Sequence, residues 1–215
     1  SAFNGSVGFG VEFTPSFGIG KVYFEGEAKF MSEITSDGKD AKVRAVVNIQ
    51  YLVEEHELSG YSEAYINVAG AIKGAGSNNL AGRVEFYFAK SKWHIYVGTP
   101  TCPVGVTLLN VVTATSYFMV GTELPDFPPL PANLRNLSDK VNFTNMRSEN
   151  LTRMGGGFAF GASLLASTGE RKFLIFYGKF ELGAGFDIML KNFGNEARCQ
   201  GISGPLGING WYAQG

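Results

Sequence analysis

The chain predicts an all-β fold: an antiparallel sandwich or strongly curved double sheet with a long Pro-rich central insertion. Three observations carry this. Long segments alternate apolar and polar residues with a period of two, glycines and aromatics are interleaved, and turn-forming residues separate the segments. In 21–30 the even positions are Val22, Phe24, Gly26, Ala28 and Phe30, and the odd ones are Lys21, Tyr23, Glu25, Glu27 and Lys29. In 41–53, Ala41, Val43, Ala45, Val47, Ile49, Tyr51 and Val53 alternate with a set containing Lys42, Arg44, Asn48 and Gln50. Successive strand side chains point to opposite faces, so each segment has a dry and a wet face. Gly8-Phe9-Gly10 and Gly155-Gly156-Gly157-Phe158-Ala159-Phe160-Gly161 fit a curved sheet, in which an aromatic on the next strand covers the gap above a glycine.

Taken in order, 6–34 reads as one or two strands broken near Pro15, and Asp37-Gly38 turns the chain into 41–53. Glu54-Glu55-His56-Glu57 reads as a solvated strand end. A strand over 61–73 places Ala64, Ile66, Val68 and Ile72 inward, and Gly74–Asn79 turns again. Val84, Phe86 and Phe88 share a face of strand 83–89, and Lys90-Ser91-Lys92 leads to strand Trp93–Val97. Six of the eight prolines lie between Pro100 and Pro131, which excludes a continuous central strand there and marks an irregular insertion over about 98–156. Within it, Val104–Val120 reads as one buried strand or a short helix near Leu108–Thr115. Pro125–Pro131 is stiff and extended, and the polar 132–154 holds a short helix. The sheet resumes at 157–165 and pairs with 171–190 through Ser167-Thr168-Gly169-Glu170, and the Gly-rich tail is loop. The expectation is one β-rich domain over 1–215, a processed product or a piece of a larger protein.

Composition excludes several classes. At 215 residues and 45% hydrophobic content the chain can bury a core and is not disordered. A net charge of −1 leaves no basic surplus for a phosphate backbone, so no nucleic-acid partner is expected. The start Ser1-Ala2-Phe3-Asn4 is not expected to be a secretory leader, and no run approaches the ~20 apolar residues of a membrane helix.

No complete catalytic or cofactor motif is present, so neither enzymatic activity nor a cofactor is expected. The glycine runs lack dinucleotide and P-loop spacing, and Gly-x-Ser-x-Gly does not occur. The only histidines are His56 and His94, and neither cysteine sits in a CxxC pair, so no metal site is expected. Cys102 and Cys199 form one long-range disulfide in an oxidising compartment, or else stay as two unlinked buried thiols. His94 lies on a strand with Trp93 and Ile95 facing the other way and no local nucleophile. Asp187 and Glu181, six positions apart on one strand, lie roughly 20 Å apart, too far for a glycosidase pair. Asp187 is therefore read as an ion-pair partner. Four Asn-x-Ser/Thr triplets begin at Asn4, Asn136, Asn142 and Asn150, and polar loops produce such triplets by chance.

Lys92-Trp93-His94-Ile95-Tyr96-Val97-Gly98-Thr99-Pro100, Gly185-Phe186-Asp187-Ile188-Met189-Leu190 and Gly207-Ile208-Asn209-Gly210-Trp211-Tyr212-Ala213 resemble segments of large, uncharacterised envelope proteins of Bacteroidota. The likeness covers the second half of the chain. It implies an exported, β-rich region of a multidomain protein, and it transfers no catalytic residue or ligand.

The expected function is a non-catalytic structural or binding module of an exported or cell-envelope assembly, with a protein partner or the larger parent as its contact. The Pro-rich arm 121–135, with Phe127, is the expected contact element, because its prolines reduce the entropy lost in holding an extended shape. Carbohydrate binding on Trp93, Tyr96, Trp211 and Tyr212 is the alternative within this class, and an unrecognised hydrolase the alternative outside it. The runner-up architecture is a closed β-barrel in an outer membrane. The small residues Gly26, Ala28, Ala41 and Ala45 on the apolar face suit close packing rather than lipid, so the soluble form is preferred at this point.

Overall fold

A computed structural model describes residues 3–31, 42–122, 124–125, 156–169, 171–173, 176–193 and 210–215. The architecture is all-β and antiparallel. The strands are β1 (Phe3–Phe13), β2 (Ile19–Phe30), β3 (Val43–Leu52), β4 (Glu57–Val68), β5 (Ile72–Gly74), β6 (Leu80–Phe88), β7 (Trp93–Val97), β8 (Val104–Leu108), β9 (Val112–Gly121), β10 (Gly156–Ser167), β11 (Arg171–Phe173), β12 (Phe176–Gly178), β13 (Glu181–Asn192) and β14 (Trp211–Gln214). Twelve of them form one large sheet, and β11 and β12 pair separately.

The sheet runs β1-β2-β3-β4 and ends β9-β10-β13-β14. Between β4 and β9 it forks. One branch passes through β6 and β7, whose partners are Leu58–Tyr65 of β4 and Phe118–Gly121 of β9. The other passes through β5 and β8, which pair with Asn67–Val68 of β4 and Val112–Ser116 of β9. Two short strands end to end thus fill each column beside a long strand, and the wall is ten columns wide.

The register puts the predicted apolar positions on one face throughout. One row across the sheet reads Val7, Gly26, Val47, Ser62, Val84, Val97, Phe118, Phe160 and Ile188. A one-residue slip on any strand would turn its apolar set over, so the alternation itself selects this register. The glycine and aromatic pairing appears as expected: a Cβ on Gly10 would strike the Tyr23 ring, and one on Gly161 the Tyr117 ring.

Several boundaries differ from the sequence expectation. The segment 61–73 belongs to two strands, because Ala69 and Gly70 take positive φ (51° and 69°) and turn β4 into β5. Val104–Val120 is neither one strand nor a helix but the hairpin β8–β9, turned at Leu109 and Asn110 with φ of 52° and 54°. In both, three residues separate the paired strand ends and the first two take positive φ, a turn geometry whose twist matches the flanking strands. Residues 104–121 of the expected irregular insertion are therefore sheet. The segment 171–190 is divided among β11, β12 and β13, and the tail supplies β14 on the edge of β13. The helix expected in 132–154 lies outside the described residues.

The core sits where alternation alone would not place it. Tyr96, Met119, Leu124, Ala159 and Met189 form a buried cluster, with Tyr117 packed against it. The register assigns Tyr96, Met119, Ala159 and Met189 to the face carrying the charges, and Leu124 follows β9 to pack with them. Lys191, on the same face and 2% exposed, donates from Nζ to the Leu124 carbonyl at 3.2 Å.

Candidate functional site

The two faces of the large sheet differ sharply in chemistry. Carried through the register, the apolar face bears no Asp, Glu, Lys, Arg or His on any of the twelve strands. Its polar side chains are Ser62, Ser116 and Asn192, with the Tyr51 hydroxyl at one end. This face is the more open one. Val7 is 74% exposed, Phe9 70%, Phe186 57%, Leu164 54% and Phe118 44%, whereas Met119, next to Phe118 but on the other face, is 0% exposed. Exposed apolar area on this scale is not a surface that water leaves unoccupied at no cost.

Both ends of the apolar face carry aromatics. At one end Tyr51, Leu58, Phe88 and Trp93 lie in register on β3, β4, β6 and β7. The row continues through Thr122, whose Oγ1 accepts from the Trp93 amide at 3.0 Å, to the level of Gly156, Asn192 and Trp211. Phe88 and Trp93 stack with ring centroids 6.5 Å apart. At the other end Phe3 and Phe30 meet at 4.9 Å, in register with Val43 and Ile66.

The opposite face carries a charged ladder across β2, β3, β4, β6 and β7. Glu27 pairs with Lys29 (2.9 Å) and Arg44 (3.5 Å), and the Arg44 guanidinium lies over the Tyr65 ring. The Tyr65 hydroxyl donates to Glu63 at 2.6 Å, and Arg83 joins Glu63 (3.1 Å) to Glu85 (3.0 Å) while covering the Tyr61 ring. His94 stands 3.9 Å from Glu85 and stacks between Tyr87 and Tyr96. Glu27–Arg44, Arg44–Tyr65, Arg83–Glu63 and His94–Glu85 join neighbouring strands, while Lys29–Glu27, Tyr65–Glu63 and Arg83–Glu85 run along one strand, an arrangement that stabilises register more than it prepares a reacting centre. Among the described residues no cluster of three or more His, Cys, Asp or Glu side chains could hold a metal.

A broad, open hollow of about 1010 Å³ lies at the fork. Small and β-branched side chains of the apolar face line it, among them Ala64, Val84, Val104, Ala114, Ala162 and Ala184. It holds no convergent polar set of the kind a substrate pocket needs.

The expected site residues fall as follows. Trp93 and Trp211 share the apolar face on β7 and β14, with β9, β10 and β13 between them. Tyr96 and Tyr212 are on the other face: Tyr96 is part of the buried cluster, and the Tyr212 ring lies 6.5 Å from Phe193. The four aromatics therefore do not meet as one stacking platform. Cys102 is half-buried in the tight turn after β7, bridged through its backbone to Thr99. Its proposed partner Cys199, the arm residue Phe127, and Asn136, Asn142 and Asn150 lie outside the described residues. Glu181 pairs with Lys179 at 2.9 Å, and Asp187 sits further along the same strand, opposite Gly161. Glu54, Glu55 and His56 are exposed on the turn between β3 and β4.

The feature that sequence reasoning missed is the openness of the apolar face. Each strand's alternation was legible singly. That the rows Tyr51–Trp93 and Val84–Phe118 run unbroken across strands depends on register, which single segments do not reveal. Comparison with known protein families, curated proteins and solved structures returns no match.

Proposed function

We propose that this chain is a non-catalytic structural module of an exported, cell-envelope assembly, acting by contact through the apolar face of its large sheet. One observation carries the reading: twelve strands present a common face without a charged residue, and its large side chains, Phe118, Leu164 and Phe186 among them, are left open. An apolar surface of this extent contributes about 25 cal/mol for each Å² withdrawn from water, so a partner of matching chemistry is strongly favoured. The paired charges of the other face and the apolar lining of the hollow support a structural rather than a catalytic role. The contact that the sequence assigned to the Pro-rich arm 121–135, most of which lies outside the described residues, is assigned in this reading to the sheet face for its broad, continuous apolar surface.

Cysteine labelling tests this. With both native cysteines replaced by serine, Phe118→Cys and Glu25→Cys report on the two faces. In envelope fractions Phe118→Cys is expected to react with a soluble maleimide far more slowly than in urea, and Glu25→Cys is expected to react readily. Equal, rapid labelling at Phe118 in the envelope fraction defeats the reading.

A further inference from the structure

We infer that the partner of the apolar face is the hydrocarbon of a lipid bilayer, and that the large sheet is a section of membrane-spanning β-wall. This rests on the contact reading above and names its occupant.

The first argument is the inversion of the sheet. In a soluble sandwich the apolar face makes the core and the charged face meets water. Here the buried cluster of Tyr96, Met119, Ala159 and Met189 and the buried Lys191 lie on the charged face, while Val97, Phe118, Leu164 and Ile188 on the apolar face are open. A polar face that packs while the apolar face stays open is the arrangement expected when the surroundings are lipid.

The second argument is dimensional. On β2 the apolar set runs from Val22 to Phe30, on β3 from Val43 to Tyr51, on β10 from Phe158 to Ala166 and on β13 from Leu182 to Leu190. Eight residue steps at about 3.4 Å span about 27 Å along a strand. With the ~40° tilt of membrane strands the band is about 21 Å tall, close to the ~25 Å of a transmembrane barrel. A protein partner sets no common length on four separate strands, whereas a bilayer does.

The third argument is the fringe. The row Tyr51, Phe88, Trp93 and Trp211 closes one end of the band, and Phe3 and Phe30 close the other. Aromatic rings, tryptophan and tyrosine above all, concentrate at the membrane–water boundary. Both tryptophans of the chain are in that row. The small residues Gly26, Ala28 and Ala45, which favoured close packing when read singly, are accompanied on the same face by Phe9, Val84, Phe118, Phe160 and Phe186. A wall in hydrocarbon leaves no strand edge unpaired, so the outer edges of β1 and β14 must both be paired there.

The test uses the full chain and its two tryptophans. Protein unfolded in urea is diluted into phosphatidylcholine vesicles, plain or carrying bromine at a shallow or a deep position of the acyl chains. Trp93→Phe and Trp211→Phe leave one reporter each. Quenching of both reporters by about two-fold or more is expected, and because a register row on strands tilted ~40° climbs about 3 Å per strand, Trp93 and Trp211, four strand spacings apart, are expected at depths differing by roughly 12 Å. Absence of quenching overturns the inference, and so does a folded, monodisperse species without lipid or detergent. If that lipid-free species is a dimer or parent complex with Phe118→Cys still protected, contact through the face survives and only the bilayer is rejected. Free labelling at Phe118 in the envelope rejects both.

Discussion

Replacing Met119 with alanine separates this account from an ordinary sandwich. Met119 is fully buried on the charged face, against Tyr96, Leu124, Ala159 and Met189. The substitution removes three side-chain heavy atoms. At about 0.8 kcal/mol per buried methylene the transfer loss is about 2.4 kcal/mol, and the cavity left behind raises it to about 3–4 kcal/mol. Ser116→Ala, three residues earlier on the open face of β9, is expected to stay within about 0.5 kcal/mol. Urea titration in vesicles reads the difference. With a slope of about 2–3 kcal/mol per molar, the Met119→Ala midpoint falls by about 1–2 M with the slope unchanged. A Met119→Ala loss under about 0.5 kcal/mol refutes a core on the charged face.

Three further outcomes follow from named contacts. Val97→Arg, four residues from the Trp93 row and on the central row of the apolar face, is expected to cost about 2–4 kcal/mol of folding into vesicles, against about 0–1 for Phe88→Arg at the fringe. Equal costs in the same urea titration would argue for a protein core over the face. Arg83→Gln removes the link between Glu63 and Glu85 and is expected to destabilise by about 1–2 kcal/mol by chemical denaturation, whereas Glu12→Gln, whose Lys21 pair is exposed, stays within about 0.5. Leu109→Gly relieves a positive-φ leucine whose side chain is 70% exposed, and is expected to stabilise by about 1 kcal/mol, seen as a raised urea midpoint.

How much of this was legible in the sequence depends on the range of the signal. The alternation of 21–30 and 41–53 is local, and β2 and β3 formed within two residues of the expected bounds. Trp93–Val97 matched β7 end to end. The β8–β9 hairpin was hidden because its turn uses Leu109-Asn110 rather than Asn-Gly, so the apolar run 104–120 carried no break. The β4–β5 turn at Ala69-Gly70 was masked in the same way by the apolar residues flanking it. For the site, the identity of each apolar face was readable, but its environment was not. Gly26, Ala28 and Ala45 taken alone point to close packing, and only the register that sets Val84, Val97 and Phe118 beside them makes a broad, charge-free surface. The burial of Met119 rather than Phe118 is a consequence of Leu124 folding over one face, which no period-two pattern encodes.

The claim that the apolar face meets lipid is tested most directly by a spin-label scan along β10. Single labels at successive positions from Phe158 to Ala166, in the cysteine-free chain reconstituted into vesicles, report collisions with oxygen, which dissolves in hydrocarbon, and with a polar nickel chelate, which does not. The account predicts oxygen accessibility that alternates with a period of two. It is high at Phe158, Phe160, Ala162, Leu164 and Ala166, low at Ala159 and Gly161, and the nickel chelate is excluded from the even set. Even positions shielded from both reagents, or reached by the nickel chelate, would contradict it.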